Sequence, residues 1–211
     1  MSANETITES KLERLAAAAG LMFVALFIGA LFDPVIDPIG DDAAVVAAQL
    51  LENRGQARLA IYAGGLAALA LVWFVGSLRS TLRRAEGGTG RLSAVAFGGG
   101  VMAGATLLAS SAFSSAALEF ADYGGDPAGA RLAAGLAEYL FYATNFGIAL
   151  LVGATFVIAF RHGAISRWLA WVGAVAGAMS LVFVWPFFVI GMLIFLFWVT
   201  ALSISLMSRS A

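Results

Sequence analysis

From Trp168 to Ser208 the chain runs for 41 residues without a single charged side chain. One straight helix of that length would reach about 60 Å, twice the hydrocarbon thickness of a bilayer. The run must therefore fold back on itself. The Val184-Trp185-Pro186 region is the expected turn. Pro lacks the donor a helix needs and disfavours helix just before it. Trp185 suits the membrane–water boundary. The run then divides into two spans, 168–185 and 187–208.

A spanning helix needs about 20 mainly apolar residues. Four further stretches meet that need: 15–32, 59–78, 92–118 and 132–160. The third and fourth exceed it, so they are expected to tilt or to extend beyond the lipid. The whole chain is 61% hydrophobic and 12% charged. A soluble domain carries about twice that charge. The expected fold is all-α, a polytopic membrane bundle of six transmembrane helices, forming one integral membrane domain over residues 1–211.

Orientation follows from the basic residues. Lys11, Arg14, Arg79, Arg83, Arg84, Arg91, Arg161, Arg167 and Arg209 fall on one side, and only Arg54, Arg58 and Arg131 on the other. Nine against three places both termini in the cytoplasm. Most carboxylates fall outside or at the outer boundary. The first span is expected to be retained rather than cleaved. Three Glu residues precede it and no small-x-small site follows it. The expected location is the cell membrane.

The loop between the first two spans, Asp33–Arg58, is the longest. Asp33-Pro34 and Asp37-Pro38 favour turns. Asp41 or Asp42 is expected to cap a short extracytoplasmic helix reaching about Asn53. Its Val46, Ala47, Leu50 and Leu51 gather on one side, and Gly55 is its expected stop. Such a helix lies on the membrane or caps the bundle. Tyr123-Gly124-Gly125-Asp126-Pro127 is turn chemistry. Glu86-Gly87-Gly88-Thr89-Gly90 lacks the Gly-Lys-Ser/Thr ending of a phosphate-binding loop.

Several chemistries are excluded at once. Cysteine is absent, which removes disulfides, thiolate metal sites and thiol nucleophiles. His162 is the only histidine, so this chain alone cannot supply bis-histidine haem ligation or a multi-histidine metal site. It sits at a helix C-terminus, where a solvated imidazole complements the dipole. The formal net charge is −1, which gives no basic field for nucleic acid. No cofactor and no metal are implied.

Two glycine pairs spaced four apart, Gly100–Gly104 and Gly173–Gly177, make flat strips where another helix can approach closely. Packing inside the bundle is the simpler use, and a homo-oligomer or a membrane protein partner the other. Membrane lipids are the remaining expected partner. Arginine before a small-residue stretch recurs at Arg14, Arg91 and Arg167, but topology alone accounts for that likeness.

The polar residues within the spans concentrate at the outer ends of the third and fourth. Ser111, Ser115 and Glu119 are spaced i, i+4, i+8 on one face, with Ser110 and Ser114 beside them. Glu138, Tyr142 and Asn145 share a face on the next helix. A short loop makes the two helices antiparallel neighbours, so these faces lie at similar depth, and Asp33 is expected to join them from the first span's outer end. Ionisable groups in that position usually face a cavity or a partner. The sixth span, with Phe187, Phe188, Met192, Phe195, Phe197 and Trp198, is expected to face lipid or dock another apolar chain.

In the Arg14–Gly20 start, the Asp33–Arg58 outer loop and the Arg79–Leu92 inner loop, the layout resembles the uncharacterised six-span membrane proteins of bacteria that carry domain-of-unknown-function labels. The resemblance covers most of the chain and implies six spans and no known activity. Two functions remain on the residues themselves. One is a non-enzymatic partner, scaffold or lipid-binding subunit. The other is a small-solute or ion transporter with an outward polar pocket between the third and fourth helices. An intramembrane enzyme would have only Glu119 and Glu138 as an acid–base pair.

Overall fold

The computed structural model describes residues 18–31, 37–182 and 187–209. The described residues form seven helices and no strand. They are α1 (Ala18–Ala30), α2 (Ala43–Glu52), α3 (Arg54–Glu86), α4 (Arg91–Asp122), α5 (Pro127–His162), α6 (Arg167–Ser180) and α7 (Phe187–Arg209). Four of them, α3, α4, α5 and α7, are long and apolar enough to cross a membrane. As described, α1 and α6 have 13 and 14 residues, about 20 Å of helix, shorter than the hydrocarbon core. The turn expected at Val184–Pro186 and the site residue Asp33 lie outside the described residues.

Long helices follow each other antiparallel, and small residues set how closely. Gly64 lies against Ser111, while Gly104 and Gly100 lie against Val72 and Val75. That pairing runs α3 and α4 in opposite directions. On the other side of α4, Gly99 and Ala103 meet Gly147, Thr106 meets Thr144, and Ser110 meets Ala137. α4 is thus the middle helix, carrying two stripes of small residues one position apart. The strips around Gly173 and Gly177 likewise meet different neighbours. A Cβ on Gly173 would lie 2.7 Å from Trp198 Nε1 of α7, and one on Gly177 would strike Val152 of α5.

Two expectations about local structure are corrected. The α2 helix ends at Glu52, where the Asn53 side chain donates to the Gln49 carbonyl at 3.1 Å, and helix resumes at Arg54. Gly55 is therefore inside α3 and is not a stop; its short exposed turn gives α3 an early start beyond the apolar run. Asp42 occupies the N-cap position of α2, yet its side chain makes no capping hydrogen bond. Of the four apolar residues expected on one side of α2, Val46, Ala47 and Leu50 are buried and Leu51 is exposed. The buried three join Ala117, Leu118, Ala121, Ala130 and Ala133, so α2 caps the outer end of the α4–α5 pair.

The last helix also differs from expectation. Before Thr200 the helix has no polar residue to mark its inside, and α7 nevertheless buries one side. Phe195, Trp198, Val199 and Leu202 are inaccessible, whereas Leu193, Phe197 and Ile204 are exposed. Trp198 Nε1 donates to the Leu169 carbonyl of α6 at 2.9 Å, and its ring stacks with Phe195 at 6.0 Å between centroids. Buried indole needs a partner for its N–H, and the carbonyl supplies it.

The ends of the bundle carry different charges. Arg79, Arg83, Arg84, Arg91, Arg161 and Arg167 gather at one end, where Arg79 lies over the Phe97 ring at 5.1 Å. The opposite end holds Asp37, Asp41, Asp42, Glu52, Asp122 and Asp126. There Arg54 and Arg58 each reach Asp122 at 3.4 Å. Exposed pairs of this kind fix register more than they stabilise.

Candidate functional site

The four-residue turn between α4 and α5 is held by its own chemistry. Gly125 adopts φ +53°, which a side chain would resist, and the Asp126 carboxylate accepts from the Gly129 N–H at 3.0 Å. Pro127 follows at the first helical position. The loop before α2 is fixed in the same region. Asp37 accepts from the N–H groups of Ile39 and Gly40 at 3.1 and 2.7 Å. Arg131 donates to the carbonyls of Pro38 and Ile39, both at 3.0 Å, and so ties this loop to α5.

Beneath that cap lies a cavity of about 290 Å³, bounded by α1, α2, α3, α4 and α5. Its walls are mainly apolar and include Phe27, Leu50, Ile61, Leu107 and Phe141. One side is polar, with Ser110, Ser111 and Ser114 from α4 and Glu138 from α5. Glu138 lies seven residues along α5 from Arg131, about 10 Å further toward the other end. Its Oε1 accepts from the Tyr142 hydroxyl at 2.6 Å. Its Oε2 is buried and has no hydrogen-bond partner among the described residues.

The protons of Ser110 and Ser111 are committed elsewhere. Ser110 Oγ donates across to the Ala137 carbonyl of α5 at 2.8 Å. Ser111 Oγ donates to the Leu107 carbonyl of its own helix at 3.2 Å. Their remaining lone pairs are acceptors. No Lys, Arg or His lines the cavity among the described residues.

The sequence-expected site residues separate into two groups. Ser111 and Glu138 share the cavity wall, and Tyr142 stands behind Glu138 as its donor. Ser115 does not line the cavity, and Glu119 is exposed near the α4 terminus. Asn145 is fully buried but not on the wall; its Nδ2 donates to the Tyr142 carbonyl at 2.9 Å. The lining serines that matter are Ser110 and Ser114 with Ser111, a face rotated by one residue from the expected one. Gly64 was also missed. A Cβ there would lie 2.7 Å from Ser111 Oγ, so only glycine leaves the serine its place.

No three His, Cys, Asp or Glu residues come together as a metal site among the described residues. The arrangement instead offers an apolar chamber with one carboxylate, which suits holding a molecule more than transforming one. Helices of membrane-crossing length around such a chamber define a helical membrane protein. The chain belongs to the family described as a domain of unknown function (DUF4386), whose model matches residues 18–208. No curated protein and no solved structure matches it.

Proposed function

We propose that this protein crosses the cell membrane six times with both termini in the cytoplasm, as one membrane domain, and acts without catalysis by holding a small amphiphilic ligand in its outer cavity. The observation that carries this reading is the cavity itself, with an unpartnered carboxylate oxygen set in apolar walls. Ligand sites are typically chambers of this kind, with few polar groups that fix orientation. The end-to-end charge asymmetry supports the orientation, since basic residues remain on the cytoplasmic side. Membrane lipid is the partner of the exposed apolar surface, including the α3 stripe of Leu59, Tyr62, Leu66, Leu69 and Trp73. A stable homo-oligomer or a protein partner would cover part of that stripe and shield it from lipid-soluble labels.

A small-solute or ion transporter is the alternative, and the outward polar pocket is what favours it. Against it stands the contact between α4 and α5 on the cytoplasmic side of the cavity, where glycine brings the two backbones together. Native mass spectrometry of protein extracted in mild detergent tests the binding reading. The wild type should retain a small-molecule adduct that Ala134→Phe, which fills the chamber, loses. Identical spectra without any adduct, together with solute flux in liposomes, would favour transport.

Topology is testable separately because the chain has no cysteine. Tyr123→Cys should react with an impermeant maleimide on intact cells. Thr89→Cys and Ser208→Cys should react only after permeabilisation. The reverse pattern would overturn the orientation.

A further inference from the structure

The polar side of the cavity is not neutral in what it can recognise. Its fixed hydrogen-bonding valences are all acceptors: Glu138 Oε2, which has no partner among the described residues, and the lone pairs of Ser110 and Ser111, whose protons already go to carbonyls. Ser114 can turn its hydroxyl either way. Among the described residues no cationic side chain lines the chamber to complete the carboxylate. A buried carboxylate oxygen without a partner is costly, and the cost is removed by a donor, most of all by a charged one. A neutral alcohol brings one donor, whereas an ammonium group brings up to three to a wall that offers acceptors.

The rest of the chamber decides what kind of cation fits. A calcium ion takes six to eight oxygen ligands, and magnesium demands a near-ideal octahedral set. Among the described residues the chamber offers one carboxylate and a few hydroxyls, which is neither set. The remaining wall is formed by Phe27, Leu50, Ile61, Leu107 and Phe141, which favours an apolar body. The space of about 290 Å³ equals roughly ten waters, enough for a short alkyl or aryl chain.

We propose, on the ligand-binding reading above, that the occupant is a protonated primary or secondary amine on an apolar body, its ammonium held by Glu138 and the α4 serines. The same chemistry is available from a free hydrophobic amine or from the ethanolamine headgroup of a lipid. The absence of a lining cation, which a lipid phosphate would need, points to the free amine.

The experiment uses the full chain in nanodiscs made of phosphatidylglycerol alone, with empty nanodiscs as the blank. Calorimetric titration compares n-hexylamine, protonated at neutral pH, with 1-hexanol of similar size. The wild type should bind the amine about 10- to 100-fold more tightly than the alcohol, as expected for hydrogen bonds to a charged group. Glu138→Gln should abolish that preference, with amine affinity falling to the level of the alcohol, and Glu138→Asp should keep part of it. If Glu138→Gln does not fold, Ser110→Ala with Glu138→Asp carries the same comparison. Competition by added phosphatidylethanolamine would support amine recognition with a lipid source; lack of competition would support the free amine. Equal affinity of amine and alcohol would overturn this inference alone. Binding of neither would overturn the ligand-binding reading with it.

Discussion

The same two helices, α4 and α5, behave oppositely at their two ends. Toward the arginine-rich end they touch backbone to backbone: a Cβ on Gly147 would lie 2.5 Å from the Ala103 nitrogen, and one on Gly99 would lie 2.6 Å from the Leu151 nitrogen. Toward the acidic end side chains make the contact beside the cavity: the Ser110 hydroxyl reaches the Ala137 carbonyl, and Ala117, Leu118 and Ala121 pack with Ala130 and Ala133. The stripe that faces α5 explains the change. Through the middle it reads Gly99, Ala103, Thr106, Ser110, so side chains grow and become polar from the glycine crossing toward the level of the cavity. Close approach of backbones gains dispersion contacts, which are a main source of helix association in lipid. The half toward the acidic end has side-chain contacts instead and borders the cavity. The cavity in one half thus rests on tight packing in the other.

The largest expected effect comes from breaking the tight half. Gly147→Leu must push a side chain into the backbone of α4, where no rotamer offers escape. Overpacking costs about 1–3 kcal/mol in ordinary cores, and a clash with main chain should reach the top of that range or exceed it. Thermal unfolding in detergent should show a large drop or no folded protein. Gly153→Leu on the same helix is the control, since nothing lies within 4 Å of its Cβ position. Equal tolerance of the two changes would show that the crossing does not hold the bundle.

A smaller effect is expected midway, where Thr106 and Thr144 share a hydrogen bond at 3.0 Å. Thr144 is buried, and each hydroxyl also reaches a carbonyl of its own helix. Thr144→Val should cost about 1 kcal/mol, the usual net worth of one such bond. The double variant with Thr106→Val should cost less than the two singles added, because both partners are then gone. Strict additivity in unfolding measurements would mean that the pair does not couple α4 to α5.

Much of this was legible from the chain alone, for a physical reason. Long apolar runs favour helix, so the all-α class, the four long apolar helices and the chemistry of the turn at Asp126-Pro127 could be read directly. So could the outer half of α4 and α5 as the place where polar residues meet, and Glu138 as the ionisable group within it. The angular details were not legible. Ser111, Ser115 and Glu119 do share a helical face, but which face looks inward depends on where α3 and α5 sit. Rotation by one residue brings in Ser110 and Ser114 and leaves Ser115 and Glu119 out. Gly147 has Ala143 four positions before it, a small-residue pair of the commonest kind that nothing in the sequence sets apart from the others. The buried side of α7 was hidden because, before Thr200, every face of that helix is equally apolar.

The loose half should accept what the tight half rejects. Ala134→Leu points extra carbons at the cavity wall rather than at packed atoms. It should leave stability within about 0.5 kcal/mol of the wild type, since a chamber has room that a core lacks. Unfolding curves that dropped as far as for Gly147→Leu would show the chamber to be closed and packed in solution.

The smallest expected effect concerns the arginine-rich end, where a single carboxylate joins α3 to α4. Glu86 accepts from the N–H groups of Leu92 and Ser93, both at 2.8 Å, and so satisfies the first turn of α4. Desolvation at this junction pushes its carboxyl up, but the hydrogen bonds from Leu92 and Ser93, aided by the nearby His162, outweigh it and hold the pKa below the ordinary 4.5. A carboxyl with a lowered folded pKa stabilises the fold above its ordinary pKa. That contribution fades as pH falls through the folded value. Unfolding measured between neutral pH and about pH 3 should therefore show an acid-side decline that is shallower in Glu86→Gln, whose amide cannot titrate. The difference should vanish by the acid limit, where the wild-type carboxyl is also uncharged. Parallel curves would mean that this junction contributes nothing to acid sensitivity, and that the two ends of α4 are anchored by packing alone.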